Sequence, residues 1–303
     1  MNPNIDFIRG GENMSESLTT VDFMQKIGFP QEAITALRSA EKVLLANDVI
    51  NRLFKQAEVA LLYHGAGEFQ TSLSAIAEQS RIPCETVDMV FLVNMLPKLL
   101  ERYRKNGISE DIFWNTAKDL TYKLLECYAN RGVWGTFVTF WFPEFYRLER
   151  FGLGRLQYER KAFPYEGVPG LQKGETVYNC HIPSAGALTP DLVQDSLLRA
   201  KAFFADELIG DRMPVYCSSW MLYPPHVELF PDGSNLRSFA DRFTVVEAVP
   251  DPTNHDFWRI FNFPWDPSIS LDDLPEDTSL RRAFKSFLTS GNVMGSGKCI
   301  LWI

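Results

Sequence analysis

Histidine and cysteine are scarce: the 303 residues hold four of the first and five of the second, and Cys84, Cys127, Cys180, Cys217 and Cys299 show no C-x-x-C spacing. A zinc ribbon, a dithiol redox motif and a disulfide framework are thereby excluded as organising features. An odd number of scattered cysteines fits reduced thiols in a cytoplasm, the compartment expected here. The chain also lacks a basic surplus, with 30 Lys and Arg against 38 Asp and Glu for a net charge of −8. Nucleic acid is disfavoured as a partner, because neutralising phosphates needs a cationic patch. No long apolar run is present either: Val90 to Leu100 is broken by Asn94, Pro97 and Lys98, so no membrane insertion is expected. Met1 to Glu12 carries Asp6 and Glu12 without a sustained apolar stretch, which reads as a loose arm rather than a leader.

What remains is a globular composition, 46% hydrophobic and 22% charged, in a chain longer than one ordinary domain. From Ser17 to Tyr128 apolar residues recur at helical spacing, as in Val87, Phe91 and Met95, and an all-helical domain is expected over 1–129. Pro97 is expected to interrupt its helix. The composition shifts near Asn130. Six of the seven tryptophans lie beyond it, and Trp134 to Phe145 is an aromatic passage suited to packing under a sheet, or to walling a ligand.

In 130–303 the patterns predict strands at Leu153–Phe163, Glu175–Ile182, Pro214–Leu222, Phe243–Val249, Phe257–Phe263 and Lys298–Ile303, with helices at Thr189–Leu208 and Thr278–Ser290. The fold class is therefore α/β, or α+β overall: a mixed sheet flanked by helices after a helical domain. The helix after Thr189 is well marked, since Thr189 can cap it and Pro190 suits its first turn.

Three of these strands carry polar groups at their centres, where sheet strands usually read Val/Ile/Leu. Alternation places Gln157 with Glu159 and Asn179 with His181, each pair on one face of its strand. The third strand offers Cys217 with Ser219, or Tyr216 with Ser218, according to register.

The combination of Gly154-Arg155-Leu156-Gln157-Tyr158-Glu159-Arg160, His181-Ile182-Pro183, Gly186-Ala187-Leu188-Thr189-Pro190, Phe203-Phe204 and Ser219-Trp220 resembles a family of bacterial acyltransferase-domain proteins. In that family a helical N-terminal domain precedes a GNAT-like C-terminal domain. The resemblance implies acyl-CoA as co-substrate, no metal, and a thioester lying where two parallel strands splay apart. It further implies that CoA phosphates meet backbone amides at the start of the next helix, which here are Ile182, Ser184, Gly186, Ala187, Leu188 and Thr189. The loop departs from the usual glycine-rich phosphate sequence, and Asp191 adds negative charge to the helix's first turn.

Amine acylation needs a base, and Glu159 or His181 fits: burial would raise the carboxylate toward neutrality, and imidazole titrates in the right range. The structural alternatives are a Glu159 ion pair with Arg155 or Arg160 and a satisfied histidine. Ser219, Ser218 or Tyr223 is a candidate acid for the departing thiolate. Gln157, Asn179, Cys217 and Trp220 are candidate substrate contacts, and His226 and His255 read as surface loop residues. The expected activity is transfer of an acyl group from CoA to an amine of a small molecule or peptide. The alternative is a non-catalytic module binding a metabolite or peptide in the same cleft.

Overall fold

The computed structural model describes residues 18–64, 66–208 and 210–303; the N-terminal arm and Gly65 lie outside the described residues. Helices α1 (Thr20–Ile27), α2 (Gln31–Leu45), α3 (Asp48–Tyr63), α4 (Ala66–Ser80), α5 (Cys84–Lys105), α6 (Glu110–Ala117), α7 (Asp119–Arg131) and the short α8 (Pro143–Tyr146) come first. Then β1 (Arg150–Leu153), β2 (Leu156–Ala162), β3 (Thr176–His181), α9 (Pro190–Phe203) and β4 (Pro214–Ser219) alternate. The short α10 (Pro224–Val227) and α11 (Asn235–Ala240), β5 (Thr244–Pro250), α12 (Trp258–Phe261), α13 (Ser279–Thr289) and β6 (Gly295–Trp302) complete the chain.

The helical half is built around α5, which runs through Pro97 without stopping. Its residues Leu92, Val93, Met95, Leu96, Leu99 and Leu100 are all buried, so tertiary packing outweighs the backbone hydrogen bond that proline deletes. On the same helix, burial pushes the Asp88 carboxyl up to about 7, against the hydrogen bond it receives from Thr139. An acid held above its ordinary 3.8 loses stability as pH rises through that interval, because the unfolded chain releases the proton more easily. Asp88→Asn is therefore expected to stabilise the fold at pH 8 by about 2–4 kcal/mol, a gain that shrinks on acidification in parallel thermal melts.

The six strands form one sheet in the order β1-β2-β3-β4-β6-β5. All neighbours are antiparallel except β3 and β4. β1 was not expected from the sequence. It forms because Gly154, at φ +83°, lets a two-residue turn at Gly154-Arg155 fold Leu153 back onto Leu156. One sheet face is covered by α9, whose Ser196 hydroxyl receives the Leu156 amide and donates to the Leu153 carbonyl. Gly297 is required on that face, since a Cβ there would come within 2.0 Å of the Leu222 carbonyl oxygen.

Two expectations are corrected. Phe257–Phe263 is a helical turn, α12, preceded by a 3-10 turn and closed by Asn262 in the left-handed conformation, not a strand. A short apolar run carries no period that separates the two. His226 is fully buried rather than a surface loop residue; its Nδ1 donates to the Trp220 carbonyl at 2.8 Å and Phe284 lies against its ring.

Candidate active site

β3 and β4 pair only at Tyr178–Val215 and Asn179–Tyr216. Beyond those residues no further pair forms between the two strands, and His181 stands at the end of β3 past the last pair.

Register fixes its neighbours. Gln157 lies across from His181 and Glu159 across from Asn179, while Arg150 of β1 lies across from Glu159. These five side chains share one face. Glu159 receives hydrogen bonds from Arg150 Nε at 2.7 Å and Asn179 Nδ2 at 2.8 Å, and its Oε1 lies 2.9 Å from His181 Nε2. Asn179 Nδ2 also lies 3.1 Å from Nε2, but the carboxylate oxygen is closer, charged and has no hydrogen to offer, so Nε2 is assigned the proton and Nδ1 keeps its lone pair. Nδ1 makes no hydrogen bond among the described residues, and the side chain retains 19% exposure.

The expectation that burial raises Glu159 is reversed. Burial alone pushes it up, but the hydrogen bond and charge of His181, the charge of Arg150 and the Asn179 amide bring it down to about 2. Its partner is neither Arg155 nor Arg160: Arg160 pairs with Glu207, and Arg155 serves the next loop. A carboxylate held this low is a poor base at neutral pH. Burial lowers His181 below its ordinary 6.5, opposed by its bond to Glu159, so the imidazole is neutral at pH 7.

The helical half closes this face. Trp141 stands edge-on to His181 with centroids 4.7 Å apart, and the Arg150 guanidinium lies 3.8 Å from the Trp141 ring centroid. The Trp141 indole and Gln157 Nε2 donate to the two oxygens of Asp119, at 3.0 and 2.8 Å. Asp119 is fully buried, and burial raises its pKa despite the nearby charge of Lys123.

The loop from Ile182 to Thr189 wraps a single guanidinium. Arg155 donates to the carbonyls of Pro183 at 2.9 Å, Gly186 at 2.6 Å and Ala187 at 3.1 Å. In a trans peptide the N–H points opposite to the C=O, so the amides of Ser184, Ala187 and Leu188 turn away from Arg155. None of the three finds a partner among the described residues. Thr189 precedes α9 without a side-chain cap, and Pro190 removes one amide from its first turn.

Other candidates sit elsewhere. Tyr216 and Ser218 share the His181 face, which puts Cys217 and Ser219 on the opposite one. Cys217 is buried across from Cys299, and Ser219 caps a 3-10 turn through Met221 N at 3.2 Å. Trp220 is packed against Phe230 and Phe284. These three are therefore structural in placement. Arg150, Trp141, Asp119 and Arg155 were missed. A Gly154 hairpin turn would have placed Arg150 opposite Glu159 by counting outward; no local signal marks Asp119 or Trp141.

A neutral histidine held by a carboxylate thus lies where the parallel pairing ends, close in sequence to loop amides that have no partner among the described residues. Residues 151–301 match the GNAT-like C-terminal domain and residues 19–148 the N-acyltransferase N-terminal domain. The two matches together span nearly the whole described chain, and the chain belongs to this N-acyltransferase family. Among curated proteins no relative matches.

The fold is similar to that of an acyltransferase solved with decanoyl-CoA and teicoplanin, at TM-score 0.71, 21% identity, and coverage of 93% of this chain and 86% of that one. An acyltransferase mutant in complex with octanoyl-CoA gives TM-score 0.71 at 22% identity, covering 92% and 86%. A further acyltransferase with decanoyl-CoA gives 0.62 at 19%, covering 94% and 99%. At such identities the likeness is one of fold.

Proposed function

We propose that the chain is an acyl-CoA-dependent N-acyltransferase in which an amine attacks the thioester directly. The observation that carries this reading is the Glu159–His181 pair where the pairing of β3 and β4 ends, with Nδ1 unengaged. His181 Nδ1 takes the proton of the attacking amine as the C–N bond forms, and collapse of the adduct breaks the C–S bond, so CoA leaves as the thiolate and takes up that proton from the imidazolium. Glu159 holds the ring in the productive tautomer and stabilises the imidazolium that forms, and Arg150 and Asn179 hold Glu159. The thioester enters between the strands, where the ladder stops and backbone donors are released for the developing oxyanion. CoA phosphates are received by the amides of Ser184, Ala187 and Leu188 over the positive charge of Arg155.

The acyl-CoA complexes of proteins with this fold support the co-substrate, and the glycopeptide in one of them supports a small-molecule or peptide acceptor. Free, mostly buried thiols support a cytoplasmic setting.

Calorimetric titration with octanoyl-CoA tests the reading: binding by the wild type is expected, and its absence sinks the proposal. Arg155→Met is expected to weaken that binding about tenfold or more, because three loop carbonyls lose a charged donor and the amides lose their orientation. Turnover separates an enzyme from a binding module, since a module binds octanoyl-CoA without transferring the acyl group to any amine.

A further inference from the structure

The sheet face that carries His181 is filled over β1 to β3 by Trp141 and α7, and at its far end by Phe163, Val177, Tyr216 and Ile300. Between them, over β4 and β6, it presents polar side chains. Ser218 lies across from Lys298, and its Oγ accepts from Lys298 Nζ at 2.8 Å. Ser296 Oγ accepts from the same nitrogen at 3.1 Å. Among the described residues no carboxylate lies within ion-pair distance of Lys298. Its cross-strand neighbour Glu247, set by a bulge in β5, accepts from the Tyr165 hydroxyl at 2.9 Å instead. The other side of β6 is closed, since Gly295 and Gly297 lie against Tyr223 and Leu222.

We propose that Lys298, Ser218 and Ser296 anchor a carboxylate of the amine acceptor, an inference that rests on the acyltransferase reading. Each serine oxygen takes a hydrogen from the ammonium, so each hydroxyl hydrogen is free to point elsewhere, and the ammonium keeps a third hydrogen. Three donors and one positive charge on an open face are the complement of a carboxylate. In a chain of net charge −8, an unpaired cation at this place is a selective attraction for an anion.

Position sets the length of the acceptor. His181 is on β3 and Lys298 two strands away on β6, with Nζ drawn over β4 by Ser218, so anchor and base stand at least one to two strand spacings apart, roughly 5–10 Å or more given that β3 and β4 are unpaired at this level. The amine and carboxylate of an α-amino acid are only about 3 Å apart by bond geometry and cannot engage both. The acceptor class is therefore an amine separated from its carboxylate by several bonds, as in an ω-amino acid or a lysine side chain.

The test offers 6-aminohexanoate and hexylamine as acceptors of the octanoyl group. Wild type is expected to favour the amino acid by about tenfold to a hundredfold in kcat/KM. In Lys298→Met the KM for 6-aminohexanoate rises until that preference is gone, Lys298→Arg keeps most of it, and Ser296→Ala shifts it in the same direction as Lys298→Met. The Kd of octanoyl-CoA should not move in any of the three. Equal use of the two acceptors by wild type, or transfer to neither, overturns the inference. So does a weaker Kd for octanoyl-CoA in Lys298→Met, because the anion held is then a CoA phosphate. Failure of the broader reading looks different: wild type then neither binds octanoyl-CoA nor acylates any amine.

Discussion

His181→Gln is expected to lower kcat by about 10²–10⁴-fold while leaving the Kd of octanoyl-CoA near the wild-type value, since general base catalysis supplies about that factor. Glutamine can still donate to Glu159 from its amide, so the network on β2 and β3 has a partner and the loss reports the missing base. The pH profile supplies a second reading. The base works only when neutral, and burial holds His181 below 6.5, so the acid limb of kcat/KM is expected below that value. In Glu159→Gln the bond and charge that raise His181 are removed. The acid limb then moves further to low pH, and kcat falls because the imidazolium loses its counter-charge. An acid limb that stays in place in Glu159→Gln would mean that another group titrates.

Arg150→Met is expected to cost about 3 kcal/mol of folding stability at neutral pH, because it leaves Glu159 as a mostly buried carboxylate without its cation. Arg150 is 4% exposed, and it also donates to the Trp141 carbonyl at 2.8 Å and stacks on the Trp141 ring, so the variant loosens the contact between the helical half and the sheet. The sign with pH follows from Glu159. A carboxylate depressed from 4.5 to about 2 stabilises the fold above 4.5, and the contribution is lost as pH falls toward 2. Wild type should therefore lose stability over that interval, and Arg150→Met less steeply, since His181 and Asn179 still hold the carboxylate down, in denaturant titrations run from pH 6 to pH 2.5.

The helical half was legible because 3.6-residue periodicity runs through long segments such as α5, and α9 because Pro190 marks its first turn, although Thr189 makes no side-chain cap. The polar face was legible in part. Alternation alone put Gln157 with Glu159 and Asn179 with His181, and the pairing of β2 with β3 then joined the two sets. The third strand stayed ambiguous, because a choice between Cys217 and Ser218 as the inward residue depends on its register with β3 and β6.

Protonation was less legible than placement. Burial of Glu159 argued for a raised pKa, and the reversal comes first from His181 across the strand pair and then from Arg150, which reaches it only because Gly154 folds a four-residue strand back beside β2. Asp119 and Trp141 join the site from elements remote in sequence, through packing that no local pattern encodes. The loop at Ser184 to Thr189 has Gly186 alone where a phosphate loop carries several glycines, and its geometry is imposed from outside by Arg155, the residue after the hairpin glycine.

A groove of about 120 Å³ lined by Leu45, Phe54, Phe91 and Met95 lies in the helical half, well away from His181, and gives the central claim a built-in rival location for the ligand. The direct measurement is titration of CoA into ¹⁵N-labelled protein, followed by amide chemical shifts. The largest changes are expected at Ser184, Ala187 and Leu188 and along Cys217 to Ser219. Changes confined to the groove between α3 and α5, or none at saturating CoA, would contradict the account.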